Sequence, residues 1–120
     1  MTELIFMFLL VCKHAVADLA LQSRLEYKGG KLNLKNGRLL IHCAHHAVLA
    51  FLVAIIFVGV INALWILLFD FIAHFAIDYS KSWYQSKTNV KYGTKTYWIY
   101  STVDQILHYT TYLIIVIFAI

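Results

Sequence analysis

Residues 39–79 read LLIHCAHHAVLAFLVAIIFVGVINALWILLFDFIAHFAIDY. The run is apolar almost throughout, yet it carries His42, His45 and His46 near its start and Asp70, His74 and Asp78 near its end. A helix crossing the hydrocarbon core of a bilayer needs about 20 mostly apolar residues. The run is long enough for two such crossings, and a single continuous helix would be too long for a small domain. Gly59–Asn62 therefore reads as a tight turn between antiparallel helices, about Leu39–Val58 and Ile61–Tyr79.

Two further apolar runs flank this pair, about Leu4–Leu21 and Trp98–Ile120. The expected fold is all-α, a polytopic membrane four-helix bundle formed by residues 1–120 as one domain. Composition agrees. The chain is 62% hydrophobic and has no proline, where soluble domains are roughly half apolar. Cys12 and Cys43 both sit in apolar stretches and suggest small buried residues better than a disulfide framework.

Two polar loops join the runs. Residues 24–38 hold Arg24, Lys28, Lys31, Lys35 and Arg38 against Glu26, with turn signals at Gly29-Gly30 and Asn36-Gly37. Residues 80–96 hold Lys81, Lys87, Lys91 and Lys95, and with Trp83, Tyr84, Tyr92 and Tyr97 they resemble an interfacial aromatic belt with a basic face. Every Lys and Arg except Lys13 falls in one of these loops. The positive-inside rule puts both loops in the cytoplasm and both termini on the far side of the inner (cytoplasmic) membrane. An even number of spans requires the same. A cleaved signal sequence is the rival reading of the first run, since Ala15-Val16-Ala17 could be a cleavage site. Glu3 at the start, and Lys13 and His14 before the site, argue against it.

Each span carries ionisable residues at i,i+4 spacing, hence on one helix face. They are His14 and Asp18, extended by Gln22; His42 and His46, with His45 beside them; Asp70, His74 and Asp78; and Asp104 and His108, in a stripe with Ser101, Gln105 and Thr111. The pairs sit near the ends of spans one and three and near the beginnings of spans two and four. All four thus fall at one depth, in the cytoplasmic half. The order of types sorts them into a deeper layer of His14, His46, His74 and His108 and a shallower layer of Asp18, His42, Asp78 and Asp104. Scattered polar residues would not layer this way.

An Asp near the centre of a membrane helix costs roughly 2.5–3.5 kcal/mol. Either an Asp–His hydrogen-bond network or a bound cation can offset that cost. Imidazole and carboxylate from facing helices are the ligand set of bundle-core metal sites. The expected ligands of one or two divalent ions are His14, Asp18, His46, His74, Asp78 and His108, with Asp104 or His42 as a further ligand or general base. Zinc fits this set first, with iron or manganese as alternatives. Asp70 lies deeper than the layers and His45 points partly off the edge. Either could hold a ligand histidine in place, or neither could belong to the site.

The motifs His14-Ala-Val-Ala-Asp18-Leu-Ala-Leu-Gln22, His42 with His46, His74-Phe-Ala-Ile-Asp78 and Asp104-Gln-Ile-Leu-His108 resemble those of a family of small integral membrane proteins of bacteria and their phages. That family is a domain of unknown function and implies no activity. The layout is also similar, more loosely, to inner-membrane metal-dependent hydrolases, which place His and Asp on short membrane helices. That likeness implies hydrolysis but does not transfer it.

Four functions remain in play. The first is metal-dependent hydrolysis of a lipid-linked or membrane-proximal substrate. There Lys81 and the basic loops could draw in an anionic lipid or a phosphate-bearing substrate, or serve topology alone. The second is a small proton-coupled transporter or channel, in which Asp–His chains relay protons. Against it stand the lack of proline and a strong charge bias. The third is haem binding through two axial histidines, which the neighbouring Asp residues fit poorly. The fourth is a non-catalytic, phage-encoded membrane modifier. The lipid bilayer is the expected partner, with a homo-oligomer as a further possibility and nucleic acid not among the partners.

Overall fold

The computed structural model describes residues 1–21 and 38–120. The first basic loop, apart from Arg38, lies outside the described residues, and so does Gln22. Among the described residues the chain is all-helical, with three α-helices and no strand.

Helix α1 spans Thr2–Ala15 and then widens into a π-helical turn, Val16–Leu21. Nothing in the sequence marks this widening. A π turn adds a residue to the repeat and is common where a side chain must be re-aimed. Helix α2 spans Arg38–Lys87, broken at Gly59 by φ 79° and ψ 172°. A straight helix of 50 residues would be about 75 Å long, whereas the longest dimension of the molecule is 43 Å. The chain therefore doubles back at Gly59, in a backbone region essentially reserved for glycine. The two arms, 38–58 and 60–87, pack antiparallel. His42 meets Asp78 at 3.1 Å and the His46 ring stacks on His74 at 4.0 Å, pairings whose residue numbers run in opposite directions.

The reversal is tighter than the expected four-residue turn, because Val60, Ile61 and Asn62 are already helical. The expected 80–96 loop is shorter too. Helix α2 runs on to Lys87, with no Gly or Pro to stop it, and Lys87 Nζ lies 4.5 Å from the centre of the Trp83 ring one turn back. The connection turns through Asn89 (φ 52°) and Gly93 (φ 84°). Helix α3 then spans Lys95–Ala119, capped by Thr94, whose side chain accepts a hydrogen bond from the Tyr97 backbone N–H at 3.3 Å. Two stretches, Leu39–Lys87 and Lys95–Ala119, are long and apolar enough to cross a membrane.

The interior has two parts. Phe6, Leu10, Ala50, Ala54, Ala63, Ile66, Ile115 and Val116 form an apolar cluster at the Gly59 end, with the Phe6 and Phe57 rings stacked at 4.7 Å. The alanines let helix backbones approach closely. Beyond Tyr112, which is fully buried, the interior becomes polar and holds Lys13, His14, His42, His46, Asp70, His74, Asp78, Asp104 and His108. The exterior is the reverse. Ile56, Ile61, Trp65, Ile72, Ile106, Ile117 and Phe118 are more than half exposed.

Candidate metal centre

Each helix delivers its polar residues from the end away from Gly59. The i,i+4 spacing keeps His42 with His46 and His74 with Asp78 on the facing edges of the two α2 arms, and Asp104 with His108 on α3. On the first helix His14 and Asp18 straddle the start of the π turn. They still meet, with His14 Nε2 3.0 Å from Asp18 Oδ2.

Four imidazoles form the inner layer. His74 stacks between His46 at 4.0 Å and His108 at 4.3 Å, and His14 lies 4.9 Å from both His46 and His108. The carboxylates come next. Asp18 Oδ1 is 2.8 Å from His46 Nε2 and 3.5 Å from His42 Nε2. Asp78 Oδ2 is 3.1 Å from that same His42 Nε2, while its Oδ1 is 3.0 Å from His108 Nε2. Asp104 Oδ1 lies 3.5 Å from His108 Nε2. His42 thus stands between two carboxylates, one from the first helix and one from the second arm of α2.

Three sets of donor atoms converge closely enough to share an ion: His14, His46 and His74; Asp18, His42 and His46; and Asp78, Asp104 and His108. Within each set the atoms lie within 4.8 Å of one another. All eight residues chosen from spacing are among them. His45 is half-buried and Asp70 fully buried, and neither belongs to a set.

The spacing fits a cation on chemical grounds. Zinc–nitrogen and zinc–oxygen bonds are about 2.0–2.2 Å, so two donors on one ion stand roughly 3–3.5 Å apart. Such separations also suit a hydrogen bond, so the count of donors decides. A neutral imidazole has one N–H. His14 Nε2 faces Asp18 Oδ2 and also Gln105 Oε1 at 3.2 Å; His42 Nε2 faces Asp18 and Asp78; His108 Nε2 faces Asp78 and Asp104. Three ring nitrogens each confront two oxygens, and a single proton serves only one of them well. Asp104 Oδ1 is buried with no hydrogen-bond partner among the described residues. A cation would satisfy such convergent lone pairs.

Two residues that spacing did not select complete the site. Lys13, the lone cation in an apolar run, is buried. Its Nζ donates to Asp70 Oδ2 at 2.8 Å and to the His46 carbonyl at 3.2 Å, and lies 4.6 Å from the centre of the Tyr112 ring. Asp70 in turn receives the His74 Nδ1 edge, through its carbonyl at 3.0 Å and its Oδ1 at 3.2 Å. Tyr112 Oη bridges His14 Nδ1 at 2.6 Å and His74 Nε2 at 3.2 Å. Both residues had a signal. Tyr112 continues the Asp104–His108 edge by one more turn, and Lys13 is the opposite charge to an otherwise unmatched Asp70 at similar depth. At the rim, Gln105 Nε2 donates to Asp104 Oδ2 at 3.2 Å, and Lys81 Nζ lies 3.6 Å from the same oxygen.

A family model described as a protein of unknown function (DUF3307) matches residues 5–120. The chain belongs to that family. No curated protein and no solved structure matches it. Membership agrees with the unknown-function family that the motifs resemble and supplies no chemistry. In this DUF3307 chain the case for function rests on the geometry of the His/Asp cluster.

Proposed function

We propose that this protein is a four-helix, multi-pass protein of the inner membrane that holds one or two divalent ions among its histidines and aspartates. There it hydrolyses a lipid-linked or membrane-proximal substrate. Much of its exterior is apolar while one half of its interior is ionic, unlike a soluble domain. Under this reading the α2 arms are two spans, both basic loops face the cytoplasm and both termini lie opposite.

The observation that carries the metal reading is the set of three Nε2 atoms, on His14, His42 and His108, each facing two oxygens. Zinc suits this imidazole–carboxylate set, with iron and manganese as alternatives. A divalent ion bound there supplies Lewis acidity and an acidified water. The chain's own part is to orient the ligands. Asp70 fixes His74 through Nδ1, and Tyr112 fixes His14 through Nδ1. His42, between Asp18 and Asp78, or Asp104, at the rim, would serve as a further ligand or as the general base.

Elemental analysis of detergent-purified protein tests this. The expected result is at least one divalent ion per chain, lost in the His74→Ala, Asp78→Ala double variant. Near-zero metal in both proteins would remove the reading.

One observation favours a second reading, proton transfer. An unbroken chain of short contacts runs from Lys13 through Asp70, His74, Tyr112 and His14 to Asp18. Proton flux in proteoliposomes that is abolished by Asp18→Asn and by Tyr112→Phe, in metal-free protein, would promote it.

A further inference from the structure

A groove runs along the outside of the molecule between residues 76–84 of α2 and residues 99–107 of α3. Its volume is about 570 Å³, within the ~300–1,000 Å³ range of ligand sites. Ala76, Ile77, Ile99, Val103 and Leu107 make its walls apolar. Its charged groups are Lys81 and Asp104, joined at 3.6 Å. Asp104 is therefore shared, with Oδ1 turned to His108 in the polar interior and Oδ2 turned to Lys81 at the groove.

We infer that this groove receives the hydrocarbon chain of a single-chain amphiphile whose phosphate head binds at Lys81, beside Asp104. The site of the head rests on the metal reading above, because Asp104 repels a phosphate unless its charge is engaged by a cation. The occupant follows from complementarity. A soluble phosphate would leave the apolar walls unused, and an uncharged lipid would leave Lys81 without an anion once Asp104 is engaged. The groove opens on the outside of the molecule, so under the proposed membrane placement a chain would enter it from the bilayer. Of the candidate metal set Asp78, Asp104 and His108, Asp104 lines the groove, which puts a bond near the head beside its carboxylate.

The test uses the full chain, with its metal content measured, in phosphatidylcholine nanodiscs. It is photolabelled with a dodecyl phosphate carrying a diazirine on the chain, and the labelled peptides are mapped. Label is expected on 76–84 and 99–107, competed by dodecyl phosphate, several-fold less by dodecanol and not by inorganic phosphate. Filling the groove from either wall, by Val103→Trp or Ala76→Trp, should reduce labelling about tenfold or more with metal content unchanged. Lys81→Met should reduce the preference for dodecyl phosphate over dodecanol by about tenfold, and so should chelation.

Label spread evenly over the outward helix faces, or equal competition by dodecanol, would overturn the inference while leaving the metal reading intact. So would labelling unmoved by both tryptophan variants in metal-bearing protein. Groove-specific labelling without phosphate preference in protein that never held metal would instead sink the metal reading, and with it the head at Lys81, and keep the groove for the hydrocarbon chain.

Discussion

The same helices build two unlike halves of one interior. Near Gly59 the contacts are made by Phe6, Leu10, Ala50, Ala54, Ala63, Ile66, Ile115 and Val116, none of them charged. At the other end they are made by Lys13, Asp70 and the His/Asp cluster. Tyr112 is the seam. Its ring belongs to the apolar cluster and its hydroxyl to His14 and His74. Under the proposed membrane placement the apolar half would gain little from hiding methyl groups and would depend on close approach at alanines. The polar half is held more strongly, because a buried ionic group that loses its partner is left unpaired away from water. One half fixes how near the helices lie, and the other fixes which residues must face one another.

The largest effect that could break this contrast lies at the buried pair. Asp70→Ala leaves Lys13 buried without its counter-charge and should destabilise by about 3–5 kcal/mol, measured by denaturant unfolding in detergent. The Lys13→Met, Asp70→Leu double variant should recover most of that loss. A double variant no better than the single would show that the pair is not coupled.

Next comes the apolar end. Gly59→Ala meets no atom within 4 Å, so its cost is that of the backbone alone, about 1–3 kcal/mol. Metal content should stay at the wild-type level. A loss of metal there would mean that the halves are not separable.

Tyr112→Phe keeps the ring and deletes the hydroxyl, and should cost about 1 kcal/mol. Backbone hydrogen exchange should rise around His14 and His74 and not around Ala54. The smallest effect is expected next door. Leu113 is half exposed on the outer face, and Leu113→Ala should stay within about 0.5 kcal/mol of wild type. A larger cost would place Leu113 against a partner, such as a second copy of the chain.

Much of the candidate cluster is legible in the sequence, because helical periodicity is local. Once His42 and His46, or Asp104 and His108, are four apart on a helix, their common face follows from 3.6 residues per turn. What was missed is long-range. Lys13 and Asp70 are 57 residues apart, and Tyr112 and His14 are 98 apart. Nothing in either local stretch says which opposite charge or which ring nitrogen each one meets. The π turn at Val16–Leu21 also went unread, since Val-Ala-Asp-Leu-Ala-Leu is compatible with an ordinary helix.

Composition and period alone say that the chain is helical, that its spans are largely apolar, and that each carries His and Asp along one edge. These depend on composition and period, which are properties of neighbouring residues. Tertiary structure decided the rest. It made Gly59 a one-residue reversal, set His42 between Asp18 and Asp78, matched Lys13 to Asp70, and turned Asp104 both inward to His108 and outward to Lys81. Such pairings depend on how α1, the two arms of α2 and α3 are rotated and staggered against one another, and no single helix carries that information.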